Sequence, residues 1–207
     1  MKDRILLKKG AESELYLIDW HDAHAISKVR IAKAYRNPSI DIPLRKRRTL
    51  HEANILSQVK FFGINTPFIY FLDINNFEII MEYIEGKTIK DFFSSDLCIN
   101  LGEIVGTLLC NNIIHGDITT SNFIISSNGS IFAIDFGLSF FSERYEDKAV
   151  DIRLFKEILT SFHVDDVDIS FKNFYNGYKK ICGNISSKVF KTVAEIEKRG
   201  RYSRSEF

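Results

Sequence analysis

Asp117, Asn122 and Asp135 are the residues best suited to chemistry, and all three fall within IIHGDITTSNFIISSNGSIFAIDFG, Ile113 to Gly137. Between the last two lie a short apolar run, Phe123 to Ser126, then Asn128-Gly129, then a second run, Ile131 to Ile134. Asn-Gly between two apolar runs predicts a two-residue hairpin turn, because a type I′ turn needs positive φ at both central residues. That register pairs Asn122 with Asp135 across the open end, with Cβ atoms about 5 Å apart. An amide oxygen and a carboxylate at this spacing are hard ligands suited to Mg²⁺. Asp117, five residues before Asn122, feeds the same corner and supplies a base.

The order of these residues resembles the catalytic core of protein kinases, H-R-D-x-x-x-x-N followed by D-F-G. A polar hairpin beside a loop is the plainer alternative. Both motifs in order, with a suitable hairpin between them, favour the kinase-like reading.

The elements that must position this corner are legible on either side. Arg4 to Lys8, Glu14 to Trp20 and Ala25 to Arg30 read as three antiparallel strands. Lys9-Gly10-Ala11-Glu12-Ser13 forms the first turn, where a kinase carries its Gly-rich lid, but with one glycine rather than three. Lys28 ends the apolar-leading run Ala25-Ile26-Ser27-Lys28, in the position of a phosphate-binding lysine. Its candidate partner is Glu52, on a helix from about Asp41 to Phe62, with Pro43 in the first turn and Gly63 as the stop. Thr49-x-x-Glu52 also has the spacing of a capping box. The ion pair is favoured, because the helix pattern starts well before Thr49.

Phe68 to Leu72 and Phe77 to Met81 predict two more strands around the Asp73-to-Asn76 turn. Glu82 to Gly86 then leaves the sheet with its backbone groups free, with Met81 behind it. Leu97, Leu101, Ile104, Val105 and Leu108 recur at helical spacing, and Gly102 and Gly106 allow close packing on that helix. Asn112 is a left-handed stop before the Ile113-Ile114 strand. Val150, Leu154 and Ile158 begin a further amphipathic helix, and two more are expected around Ile169 to Ile181 and Ser187 to Glu197.

At 207 residues and net charge +1, the chain can bury a full core as one domain or two small lobes. Three cysteines without close-paired or metal-ligand spacing predict reduced, buried or idle thiols. The charged start MKDRILLKKG has no signal-peptide core and no run approaches membrane-spanning length, so an intracellular, soluble, cytoplasmic protein is expected. Eight Lys or Arg and one acid, Asp41, fall between Lys28 and Arg48. Such a run is a solvated face or a contact for phosphate-rich RNA. A second basic stretch, Arg199 to Arg204, ends the chain.

Taken together the motifs resemble one family, the small atypical kinase subunit of the KEOPS complex, related to the p53-related protein kinase. The resemblance rests on Gly10-Ala11-Glu12, Lys28-x-Arg30-x-x-Lys33-x-Tyr35-Arg36-x-Pro38, Arg48-Thr49-x-x-Glu52-Ala53, His115-Gly116-Asp117, Thr119-Thr120-Ser121-Asn122, Asp135-Phe136-Gly137-Leu138-Ser139, Glu146 to Asp151 and Arg199-Gly200-Arg201. Ile118 replaces the family's Leu, Leu109 stands at the His of a Leu-His pair, and the tail lacks an unbroken basic cluster.

The resemblance implies an α+β, bilobal protein-kinase-like fold over residues 1–207. Its antiparallel-sheet N-lobe would run to about 82, a hinge over about 82–87, a reduced helical C-lobe over about 88–198 and a basic tail over 199–207. It implies an ATP- and Mg²⁺-dependent enzyme that hydrolyses ATP or phosphorylates serine and threonine. The complex makes N6-threonylcarbamoyladenosine in tRNA, and the partners implied are the threonylcarbamoyl-transferring subunit, the other KEOPS subunits and tRNA. By carry-over, Asp117 is catalytic, and Asn122 and Asp135 hold Mg²⁺. Gly10, Glu12, Lys28, Glu52, Glu82 and Ile84 bind nucleotide. The tail points toward the transferase and its tRNA. Asp151 matches the buried aspartate that holds a kinase's catalytic loop. Ordinary Ser/Thr kinases carry Arg and Lys where this chain has Gly116 and Thr119, which predicts slow phosphotransfer with water as an acceptor. A RIO-like kinase and a non-catalytic kinase-fold scaffold are the alternatives.

Overall fold

A computed structural model describes residues 4–202. The chain divides into two compact units, the first running to Gly86 and including Ser126–Gly137, the second comprising Lys87–Ile125 and the chain from Leu138.

In the first unit, β1 (Ile5–Lys9), β2 (Ser13–Trp20), β3 (Ala23–Arg30), β4 (Ile69–Asp73) and β5 (Glu78–Glu82) form an antiparallel sheet in the order β1-β2-β3-β5-β4. Alternation along the strands sends Ile18, Ala25 and Ile80 into one cluster, against which Tyr16 and Trp20 pack. Asp73 closes the β4–β5 turn by accepting the Asn75 and Asn76 amides. Helix α1 (Pro38–Gln58) starts three residues earlier than the sequence pattern predicts. Asn37 caps it by accepting the Ser39 amide at 2.9 Å, and Pro38 occupies the first helical position. A 3-10 turn, Val59–Phe62, then ends at Gly63 in the left-handed conformation (φ 80°).

The strands β6 (Gly86–Thr88) and β8 (Phe123–Ser126) carry the chain from one unit to the other. The turn between β8 and β9 (Ile131–Ala133) differs from the expected one. The Gly129 amide donates to the Ser126 carbonyl, and the Ser126 amide to the Ser130 carbonyl. Only Gly129 of the Asn-Gly pair takes positive φ, 83°. This is a three-residue loop with the glycine as a bulge, closed by Ser126 with Ser130 rather than by Ser127 with Ser130. Asn128 is there for its side chain, which accepts the Ser130 amide at 3.0 Å. The predicted register is therefore shifted by one at its closing pair.

The second unit contains α2 (Leu97–Cys110), β7 (Ile113–Ile114), β10 (Phe140–Phe141), α3 (Tyr145–Phe162), α4 (Val167–Cys182) and α5 (Ile185–Tyr202). Asn112 takes the expected left-handed conformation (φ 60°) between α2 and β7. Helices α2 and α4 touch backbone to backbone. A Cβ at Gly102 would lie 2.1 Å from the Phe174 carbonyl oxygen, and one at Gly177 would lie 1.9 Å from that of Ile99. Gly177→Ala must part the helices, and we expect a loss of about 3 kcal/mol, or roughly 6–12 °C in Tm. A thermal melt checks this, and an unchanged Tm would contradict the packing.

Their C-terminal ends meet in a Cys110–Cys182 disulfide with a Cα–Cα distance of 6.2 Å, while Cys98 is free and buried. The expectation of three unpaired thiols is corrected here. A sequence separation of 72 gives no local clue to a pair that helix packing brings together.

On α3 the period was legible but not the face. Val150 and Leu154 are exposed, whereas Ala149, Ile152, Phe155 and Leu159 are buried. Helix α5 continues past the predicted end at Glu197 to Tyr202, while Ser203 and Arg204 of the basic tail lie outside the described residues. No helix among the described residues is long and apolar enough to cross a membrane.

Candidate active site

Two residues apart on β3, Lys28 and Arg30 project to the same side of the strand. Both reach Glu52 on α1: Lys28 Nζ donates to Oε1 at 2.6 Å and Arg30 Nη2 to Oε2 at 2.5 Å. All three side chains are buried. Lys28 also donates to Asp135 Oδ1 at 2.7 Å. Burial opposes the charged ammonium, but the Glu52 and Asp135 carboxylates more than offset it and hold Lys28 above the ordinary lysine range. The capping-box alternative fails, because Thr49 lies in mid-helix and its hydroxyl donates to the Arg45 carbonyl.

Asp135 adopts φ 62°, a conformation that costs energy outside glycine and asparagine and that gathers at working sites. Its Oδ1 also accepts the Gly137 amide at 3.2 Å. Gly10 closes the first turn by donating to the Ser13 carbonyl at 2.8 Å. Glu12 faces arginines: its carboxylate accepts from Arg48 and, at 3.2 Å, from Arg36. Glu82 remains in β5, its amide on the Phe68 carbonyl and its carboxylate accepting the Phe68 amide at 3.0 Å. The segment leaving the sheet therefore begins at Tyr83 rather than Glu82, and Ile84 within it is buried.

In the second unit, β7 pairs with β10 and delivers the chain to His115 and Gly116. The backbone amides of these two residues donate to Asp151 of α3, at 2.7 and 2.9 Å. Buried Asp151 thus fixes the loop that carries Asp117, as its place in the sequence predicted. Asn122 Nδ2 donates to both the carbonyl and Oδ2 of Asp117, each at 2.9 Å. With its donor end committed, the amide oxygen is the group Asn122 can offer a cation. Lys148 Nζ bonds Asn112 Oδ1 at 2.7 Å and steadies the turn into β7.

Gly116 has φ +80°, and a Cβ there would lie 2.5 Å from the Leu138 carbonyl oxygen. The arginine that ordinary kinases carry at this place is excluded by backbone geometry. Taken separately, the Asp135 carboxylate of the first unit and the Asn122 amide oxygen of the second are each hard oxygen donors of the kind Mg²⁺ takes, alongside phosphates and water. Among the described residues no group of three or more His, Cys, Asp or Glu side chains converges as a metal cage.

Burial pushes the Asp151 carboxyl up to about 7, against the pull of the His115 and Gly116 amides. Between pH 4 and 7 the folded chain holds this proton more tightly than the unfolded chain. Its contribution to stability is therefore full below about pH 4 and lost as pH rises through about 7. Asp151→Asn should be less stable throughout, since one loop amide loses its acceptor, and flatter over this interval. Denaturation midpoints from pH 4 to 7 check it; parallel curves for the two proteins would contradict it.

Sequence reasoning missed Arg30 and the arginine cluster around Glu12. The signal was Lys28-x-Arg30, since period 2 puts both cations on the face that meets Glu52. Most of the basic segment is committed internally and is not the open surface expected. Arg45 binds Asp41 at 2.6 Å and stacks over Phe77, and Arg36, Arg48 and Arg30 are paired. Lys46 and Arg47 remain exposed.

The ABC1 atypical kinase-like domain family matches residues 59–169. The KEOPS complex subunit Bud32 of Pyrococcus abyssi is 38% identical over 211 residues, covering 95% of this chain and 96% of that protein. The chain belongs to the Bud32 family. A Methanococcus vannielii protein, named a probable bifunctional tRNA threonylcarbamoyladenosine biosynthesis protein, is 40% identical over 202 residues. That match covers 96% of this chain but 36% of the bifunctional protein, so the chain spans about a third of it. The Rio2 kinase of Chaetomium thermophilum, solved as an ADP/Mg²⁺-phosphoaspartate complex, shares the fold at 13% identity and TM-score 0.60, covering 95% of this chain and 70% of its own. Membership of the Bud32 family displaces the RIO-like alternative, and the likeness to Rio2 establishes an α+β kinase-like fold.

Proposed function

We propose that this Bud32-family chain binds ATP with Mg²⁺ and hydrolyses it in support of tRNA N6-threonylcarbamoyladenosine formation. The observation that carries the reading is buried Lys28 bonded to both Glu52 and Asp135, the lysine arrangement a phosphate clamp requires. The ADP/Mg²⁺ of the Rio2 complex and the names of the archaeal relatives support it.

In this reading Lys28 binds the α and β phosphates and Glu52 orients it. Gly10 and Glu12 belong to the loop over the nucleotide, and Glu82 and Ile84 offer backbone groups to the adenine edge. Asn122 and Asp135 would hold Mg²⁺, which neutralises phosphate charge when bound. Asp117, held by Asn122, positions the attacking hydroxyl or water. Gly116 and Thr119 leave out two cations of ordinary kinases, which favours hydrolysis over serine or threonine phosphorylation. Its partners would be a threonylcarbamoyl-transferring subunit, other KEOPS subunits and tRNA, in the cytoplasm.

The test is ATP turnover by the purified chain with and without tRNA and the transferase subunit, following free phosphate and phosphoprotein separately. Phosphate release stimulated by the assembled partners is expected. Phosphoprotein as the main product, or turnover indifferent to tRNA, would contradict the reading.

A further inference from the structure

Glu12 occupies a setting richer in positive charge than one carboxylate needs. Its backbone carbonyl accepts the Ile31 amide at 3.1 Å, which fixes the first turn beside the end of β3. Oε1 accepts from Arg36 at 3.2 Å, while Oε2 accepts from Arg48 and lies 3.7 Å from Arg30 Nη1. Arg30 is 6% exposed, and its buried Nε has no hydrogen-bond partner among the described residues. Three guanidiniums from β3, the following loop and α1 thus converge on two oxygens. An unmet buried N–H lies in the guanidinium that Glu52 also holds.

A phosphate carries a charge of about −1.5 to −2 and three acceptor oxygens, one for each guanidinium. We propose that Arg30, Arg36 and Arg48 form a phosphate-binding site for which the Glu12 carboxylate is the built-in competitor. Phosphate entering the cluster displaces the Glu12 side chain, while the Ile31 bond keeps its backbone in place. Filling and clearing the site therefore moves a side chain of the first turn without unfolding it. The site differs from the Lys28 clamp: Glu52 touches both, with Lys28 on one oxygen and Arg30 on the other. It does not require ATP turnover, so it can stand or fall apart from the proposed activity.

The test is calorimetric titration of the full chain with inorganic phosphate, without Mg²⁺ or nucleotide. Glu12→Gln removes the competitor and should tighten binding about tenfold, the change expected if Glu12 fills the site roughly nine-tenths of the time. Arg48→Met should weaken binding tenfold or more, and Lys28→Met should leave it within about twofold. Because the first two variants act in opposite directions, misfolding cannot mimic the pattern. No phosphate binding, an unchanged affinity in Glu12→Gln, or loss of binding in Lys28→Met would overturn the proposal. Repeating the titration with ATP present identifies the source. Competition assigns the site to the terminal phosphate of the nucleotide, and simultaneous binding assigns it to a phosphate on a second ligand.

Discussion

Asp135→Asn should lower ATP turnover by about 10²–10³-fold while moving Tm by only a few degrees. The carboxylate is half exposed, so the substitution empties no core. Two losses fall on the same step. Under the proposed function a metal-ligand oxygen becomes a neutral amide, and Lys28 keeps Glu52 but loses its second anion at 2.7 Å. The backbone at φ 62° tolerates asparagine better than other non-glycine residues, which keeps the fold intact. Phosphate release and a melt on the same preparation check it. Retained hydrolysis in the folded variant would remove Asp135 from the metal.

Removing Glu52 should have the larger effect on stability. Glu52→Ala leaves Arg30 and Lys28 buried with one carboxylate fewer, and breaking buried pairs of this kind costs about 3–5 kcal/mol. Activity falls as well, because Lys28 loses the partner that orients it. Under the proposed function Lys28→Ala removes the phosphate contact itself, so adding Glu52→Ala to it should cost little more in turnover. The expected coupling is on the order of 1–3 kcal/mol in the double-mutant cycle. Additive losses in turnover would show that Glu52 acts only on stability and that the pair does not work as a unit.

The strands, the Gly63 stop of the helical stretch that begins with α1 and the Asn112 break were legible because turn residues and apolar periods act locally. Lys28, Glu52 and Asp151 were reached through motif order, and the distances bear out their pairing within each unit. What escaped depends on tertiary placement. Whether Asn128-Gly129 makes a two- or three-residue loop turns on one backbone torsion and a side-chain bond to Ser130. Nothing local tells Val150 from Ile152 as the buried row of α3, since both fit a 3.6-residue period. The eight cations between Lys28 and Arg48 read as a surface run, yet acids at positions 12, 41 and 52 draw most of them inward. That neutralisation also leaves Lys46 and Arg47 as the exposed remainder of the segment for any nucleic-acid contact.

If Lys28 belongs to a Mg²⁺-dependent nucleotide clamp, titrating ATP onto the purified chain must show it. Binding should be strong with Mg²⁺, weaker by at least about tenfold when the metal is chelated, and lost to a similar degree in Lys28→Met with Mg²⁺ present. A melt of Lys28→Met confirms that the folded protein is being compared. Equal affinity with and without Mg²⁺, and in Lys28→Met, would contradict the claim and leave a kinase fold serving as a scaffold.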